Sequence, residues 1–208
     1  MRHVLAALKG APPRLFIYTS STSVYAQTDG GWVDEESLTH PPHENGKRLL
    51  QAEQLLRQAG EGCFKAVILR LSGIYGPERH ALLDKIRGGA KILPGDGNRW
   101  INQVHRDDVV GAICFLMKSK IQNPKSKIFN LSDDYPVLQR DYVNWVSQQL
   151  GRPPPHFAPE AQTAKTAGRQ GFQPNRRISN KTLRKLGWAP RHPTFQDGLN
   201  YIRPSASS

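Results

Sequence analysis

Two hydrophobic periods share this chain: short unbroken apolar runs, and longer stretches where apolar positions recur every three to four residues. Residues 14–20 (RLFIYTS), 64–71 (FKAVILRL) and 127–131 (KIFNL) are rich in β-branched and aromatic side chains. The first follows Pro12-Pro13 and the second ends in the turn material Ser72-Gly73. Runs of this kind predict strands buried on both faces. Residues 46–59 carry Leu49, Leu50, Ala52, Leu55 and Leu56 at helical spacing and stop at Gly60. Residues 107–117 carry Val109, Val110, Ile113, Phe115 and Leu116 behind Asp107 or Asp108 as the cap. Residues 2–9 place Val4, Leu5 and Leu8 on one helical face before Gly10. Two further short helices are expected at 179–187, capped by Ser179, and at 194–202. Strands alternating with helices predict an α/β fold built on a parallel sheet.

The 208 residues suffice for one domain with a sizeable core. After Gly151 the composition shifts, with Pro153 to Pro155 opening a polar stretch that reaches about Gln173. The chain therefore divides into a main part, 1–150, and a small portion, 151–208. Net charge is +12, and the small portion holds ten Lys and Arg against two Asp and Glu. Four Trp, six Tyr and seven Phe argue for a packed globule. The two cysteines, Cys63 and Cys114, lie in or beside apolar runs, which suits small buried hydrophobes in a reducing compartment better than a disulfide framework. Two lone thiols also disfavour zinc. No apolar run approaches the roughly 18 residues of a membrane span, and the first residues carry no cleavage pattern, so a cytoplasmic chain is expected. The basic tail has Arg176, Arg177, Lys181, Arg184 and Lys185 with little aromatic interleaving, so nucleic acid is disfavoured. A basic rim that attracts a phosphorylated substrate accounts for the charge as well.

A parallel α/β sheet places ligands at the carboxyl ends of its strands. Three clusters stand at or beyond such ends: 19–25 (TSSTSVY), 71–77 (LSGIYGP) and 102–108 (NQVHRDD). Five consecutive hydroxyl residues supply donors and acceptors for a ribose, a phosphate or a reacting carbonyl, or they satisfy a turn of their own. Together with the acidic DEES at 34–37, AEQLL at 52–56, LRLSGIYGPER at 69–79, VHRDDV at 104–109 and FNLSDD at 129–134, these clusters resemble the extended short-chain dehydrogenase/reductases, the NAD-dependent epimerase/dehydratase proteins. The stretch RRISNKTLRKLGW at 176–188 also resembles the end of such proteins.

The resemblance implies a Rossmann-type domain that binds NAD or NADP, a smaller substrate-side portion, and a substrate that is often a nucleotide sugar. It implies catalysis by a Ser/Thr, a Tyr acid/base and a Lys. Ser21 falls at the catalytic hydroxyl position. Thr19, Ser20, Ser72, Gly73 and Ile74 fall beside the nicotinamide end. His105 and Asp108 fall in a motif that caps and anchors a helix near the substrate side, and Arg99 and Asn102 stand where a substrate phosphate or plain solvent is met.

Two departures bear on function. No glycine-rich phosphate turn stands in residues 1–13, and Gly88-Gly89 and Gly95-Asp96-Gly97 read as turns. The chain is thus expected to begin inside the helix before the family's fourth strand, with the first half of the nucleotide fold missing. An apolar sheet edge would then be bare, favouring a homodimer. The second departure is the Tyr-x-x-x-Lys pair. With Ala52-Glu53 in register, its positions hold Asn45 and Leu49. A shifted register offers His43 and Lys47 as surrogates at i, i+4. Little or no catalysis by this chain alone is expected, the alternative being a nucleotide-sensing or protein-binding relative.

Overall fold

The computed structural model describes residues 1–60, 63–119, 127–159 and 174–200. Its strands are β1 (Leu15–Ser21), β2 (Trp32–Val33), β3 (Lys65–Leu71), β4 (Gly73–Tyr75), β5 (Ile92–Pro94), β6 (Trp100–Ile101), β7 (Gln103–His105), β8 (Lys127–Leu131), β9 (Val137–Leu138), β10 (His156–Ala158) and β11 (Arg177–Ile178). Its α-helices are α1 (Arg2–Ala7), α2 (Glu44–Gly60), α3 (Ala81–Arg87), α4 (Arg106–Lys118), α5 (Gln139–Gln149), α6 (Lys181–Lys185) and α7 (Phe195–Gly198).

Strands β1, β3 and β8 form a three-stranded parallel sheet with β3 in the centre, in register Ile17 to Val67 and Val67 to Lys127. The unbroken apolar run of β3 is explained by burial on both faces. Val67, Leu69 and Leu71 pack with Ala112 and Leu116 of α4 and with Leu183 and Trp188. Ala66 and Ile68 pack the other way, against Leu56 of α2 and Leu5 of α1. Each buried side chain of this size contributes roughly 1.5–3 kcal/mol. Leu15, Phe16, Ile17 and Tyr18 on β1 are only half-buried, because no described strand pairs with the outer side of β1.

Beyond the carboxyl ends lies a second core, in which Leu83, Ile86, Tyr142, Val143, Val146 and Phe195 of α3, α5 and α7 meet Tyr75, Leu93 and Leu199. Paired short strands join it to the sheet: β4 to β7, β5 to β10 and β2 to β11 in parallel, and β6 to β9 antiparallel.

The three expected sheet strands stand within one residue of their places. The second helix starts at Glu44, two residues before its expected start at residue 46, since a helix's first turn needs no buried apolar side chain. The cap of α4 is His105, whose Nδ1 accepts the Asp107 amide at 3.2 Å. Neither expected aspartate caps it. Asp108 instead turns inward to hold the chain near residue 191. Helix α6 has Asn180 at its N-cap position with no side-chain cap bond, while Ser179 Oγ accepts the Lys181 amide at 3.4 Å, and α7 opens with a capping box between Thr194 and Asp197. The end expected at residue 202 lies outside the described residues, as does most of the polar stretch to Gln173. Cys63 and Cys114 are exposed and unpaired, contrary to the expected burial: the first lies in a turn, the second on the outer face of α4. Helices α3 and α5 and all strands other than β1, β3 and β8 have no counterpart in the hydrophobic reading. Among the described residues no helix is long and apolar enough to cross a membrane.

Candidate functional site

The carboxyl ends of β1, β3 and β8 converge on a network of buried polar groups. Arg70 stands in the middle of an apolar strand and donates to Glu53 from Nε at 3.2 Å and from Nη2 at 2.8 Å. Its Nη1 donates to the Tyr25 hydroxyl at 3.0 Å, and that hydroxyl donates to Asn130 Oδ1 at 2.8 Å. Ser20 completes the arrangement by donating to Glu53 Oε1 at 2.6 Å. Burial pushes the Tyr25 phenol up, so it stays protonated. The hydroxyl of Ser20 is consumed inside the protein, whereas Thr19 is exposed. Ser21 is half-buried and caps the short turn Thr22–Val24 by accepting the Ser23 amide at 3.1 Å, which leaves its own proton to donate.

The first turn of α2 docks on that short turn. A side chain at Gly46 would run into Pro41 and would meet the Ser23 carbonyl at 3.1 Å, so glycine sets the approach. On either side of this contact stand Asn45, exposed, and Leu49, packed beside Val24 and Tyr25. His43 is exposed just before the helix. Lys47 is 58% exposed and its ammonium bonds Glu44 at 2.8 Å. The helix thus brings His43 and Lys47 one turn apart, as their spacing predicts, with Lys47 held at the surface.

Ser72 is buried and its Oγ has no hydrogen-bond partner among the described residues. Gly73 donates its amide to the Asn102 carbonyl at 3.0 Å, and Ile74 is half-buried against the sheet core. Asn102 is engaged with β11 and the residue before it: Nδ2 donates to the Arg176 carbonyl at 2.8 Å and Oδ1 accepts the Ile178 amide at 2.7 Å. Arg99 Nε donates to Gln139 at 2.8 Å. His105 is buried edge-on to Tyr75 and packed at a 40° tilt against His192, with 3.9 Å between ring centroids. Burial, then the neighbouring His192, holds its imidazole below the ordinary range. Asp108 accepts the Arg191 and His192 amides at 2.6 and 3.1 Å, anchoring the C-terminal segment to α4 as the motif implied.

Sequence reasoning passed over Arg176, which is buried and donates to the Thr22 carbonyl at 2.8 Å beside the Ser21 turn. Burial lowers its pKa to about 10. It also passed over the pairing of Glu53 with Arg70, although a cation inside KAVILRL signals a buried acid somewhere in the fold.

This arrangement has relatives. The model of the NAD dependent epimerase/dehydratase family matches residues 1–132. The chain belongs to that family. Like Protein YeeZ of Escherichia coli, to which it is 35% identical over 153 residues, this epimerase/dehydratase-family chain shares most of its own length, 73%, and 52% of the relative's. The chain spans about half the length of the curated relatives it matches first. A solved putative NAD-dependent epimerase/dehydratase of Methylobacillus flagellatus is 28% identical, with a TM-score of 0.76, over 97% of this chain and 67% of that one. The UDP-glucuronic acid 4-epimerase of Bacillus cereus, solved with UDP-glucuronic acid and NAD, has a TM-score of 0.79 at 20% identity, over 97% of this chain and 65% of that one. The architecture is therefore the α/β, Rossmann-type fold of the epimerase/dehydratase family, with its parallel sheet and flanking helices.

Proposed function

We propose that this chain binds a nucleotide-sugar or a related small molecule at the carboxyl ends of its sheet strands, and by itself carries out no oxidoreduction or epimerisation. The observation that carries this reading is the face of α2 that meets the Ser21 turn, where positions 45 and 49 hold an amide and an alkyl group. General acid–base chemistry needs a group within hydrogen-bond reach whose pKa lies near working pH. The nearby phenol of Tyr25 is bonded internally and pushed up, and so is that of Tyr75. His43 and Lys47 stand as surrogates, but Lys47 already neutralises Glu44.

The family is NAD-dependent by description, and the residues here fit one end of that cofactor. The Ser21 hydroxyl, the Ser72 hydroxyl, which has no partner among the described residues, and Ile74 suit a nicotinamide and its ribose, with Thr19, Ser20 and Gly73 beside them. None of the three sheet strands is followed by a glycine turn that opens a helix, so the described residues supply no pyrophosphate cradle. When bound, NAD or NADP accepts or donates hydride. Ser21 would orient the reacting oxygen, and Arg99, Asn102 and His105 would shape the substrate side, Asn102 and His105 through the segments they hold.

A second reading, a protein-binding relative, is favoured by one feature. A groove of about 770 Å³ runs beside the half-exposed β1 and is lined by Leu15, Ile17, Ile113, Leu116 and Met117. It fits a homodimer, which light scattering tests: a monomer at all concentrations removes this reading. The exposed, unpaired cysteines accord with a cytoplasmic location.

For the main reading, calorimetry of the purified chain with NAD, NADP, UDP-glucose and UDP-glucuronic acid is combined with a watch on nicotinamide absorbance. Binding without turnover is the expected result. Turnover that disappears in Ser21→Ala overturns it.

A further inference from the structure

Arg176, just before strand β11, and Arg177, its first residue, go to opposite sides. Arg176 goes inward to the Ser21 turn, and Arg177 goes outward into a cleft that the proposed site does not use. This cleft has a volume of about 280 Å³. Trp32, Trp100 and Tyr135 stand along it, Asp141 and Arg177 reach into it, and Pro136 to Leu138 form part of its lining.

Three observations point to a ligand. The first is aromatic exposure: Trp32 is 55% and Tyr135 63% exposed. Large aromatic faces gathered in a concave site are what a planar ligand stacks on. The second is the state of Arg177. Its guanidinium lies over both indoles, 5.1 Å from each ring centroid. A guanidinium placed over aromatic rings gains cation–π attraction and keeps its charge and N–H donors for an anion. Only Nε has an acceptor, the Gly30 carbonyl at 2.9 Å, and both Nη groups lack one among the described residues. The third is Asp141, an exposed carboxylate on the same cleft with no partner among the described residues, ready to accept a proton donor on a ring.

We propose that this cleft binds a planar ring that carries an anionic group on one side and an N–H or O–H donor on another. The ring stacks on Trp32 and Tyr135, the anion pairs with Arg177, and the donor bonds Asp141. A pyrimidine nucleotide and a hydroxylated aromatic acid share this chemistry. The inference rests on the small-molecule reading above and places the ring-bearing part of the ligand in this cleft.

The test is calorimetry of the full chain with UMP and, separately, with 4-hydroxycinnamate. Trp32→Ala, Trp32→Tyr and Arg177→Met are compared, each checked for folding by circular dichroism. At least one of the two ligands is expected to bind. Trp32→Ala and Arg177→Met should each weaken binding about tenfold or more, and Trp32→Tyr should restore most of the loss. Binding of UMP alone identifies a nucleotide, and binding of 4-hydroxycinnamate alone an aromatic acid; both outcomes support the cleft. Binding of neither ligand overturns it, as does binding unchanged in the variants or a loss confined to Trp32→Ala. If Trp32→Ala does not fold, quenching of indole emission in the unsubstituted chain decides, with its loss in Arg177→Met expected and its persistence fatal. UDP-glucose bound equally by every variant removes the cleft while leaving the small-molecule reading intact.

Discussion

Glu53 and Arg70 are each almost fully buried, and the fold tolerates them because every charge meets its opposite in bidentate geometry. Removing one partner leaves an uncompensated buried charge, which costs about 3–5 kcal/mol. Glu53→Ala is accordingly expected to shift the denaturant midpoint far more than Glu53→Leu combined with Arg70→Met. Urea titration of the three proteins measures the difference. His105 makes a second residue-level prediction. Its pKa is lowered from 6.5 in the folded protein, first by burial and then by His192. The folded state therefore binds this proton less readily than the unfolded chain, so stability is full above 6.5 and falls as pH drops below it. Urea midpoints measured from neutral to mildly acid pH should decline, and His105→Asn should flatten the decline. Asn102 shows how far residue identity alone reaches. Its place in a polar loop suggests a ligand, yet Arg176 and Ile178 take the two ends of its amide, and nothing in the local sequence announces a partner 76 positions away.

At the scale of elements, the three sheet strands and the two long helices are legible because each satisfies a simple period. Val67, Leu69 and Leu71 face one layer while Ala66 and Ile68 face the other, and an unbroken apolar run is what that demands. Helix α5 was just as readable, since Tyr142, Val143 and Val146 follow helical spacing. Strand β10 was not: His156–Ala158 is a strand because Ile92–Pro94 lies beside it, which is a tertiary cause. The α2 contact yields a prediction at this scale. Gly46→Ala drives a methyl group into Pro41, and the helix must lift off the Ser21 turn. A loss of roughly 1–3 kcal/mol is expected by thermal or chemical denaturation. Gly111→Ala on α4 is the control, because a side chain there meets nothing within 4 Å. Of the candidate site, the Ser21 turn and the Ser72-Gly73-Ile74 corner were legible from motif position, and the structure brings both to the same ends of the sheet. The cleft around Arg177 was not legible, because Trp32 of β2, Trp100 of β6 and Tyr135 lie far apart in the chain.

Across the whole molecule, the C-terminal segment ties the two cores together. Asp108 holds the amides of Arg191 and His192, Asn180 donates to the Ser132 and Asp133 carbonyls, and Trp188 packs in the sheet core. Asp108→Ala is expected to lower stability by roughly 2–3 kcal/mol, since a buried carboxylate loses several charge-assisted bonds. It should also open the chain after Leu186 to limited proteolysis, read by mass spectrometry. An unchanged cleavage pattern shows that α6 and α7 hold the segment without Asp108. The same architecture has a timetable. The Thr22 carbonyl waits for a guanidinium 154 positions downstream, and β2 waits for β11, which is nearly as remote. At ordinary translation speeds of about 5–20 residues per second, that interval is roughly 8–30 s. Throughout it the nascent chain carries Trp32 and the Ser21 turn without their closing strand. A holdase on the ribosome would find its binding site here, and synonymous codons between positions 33 and 176 would set how long that site stays open.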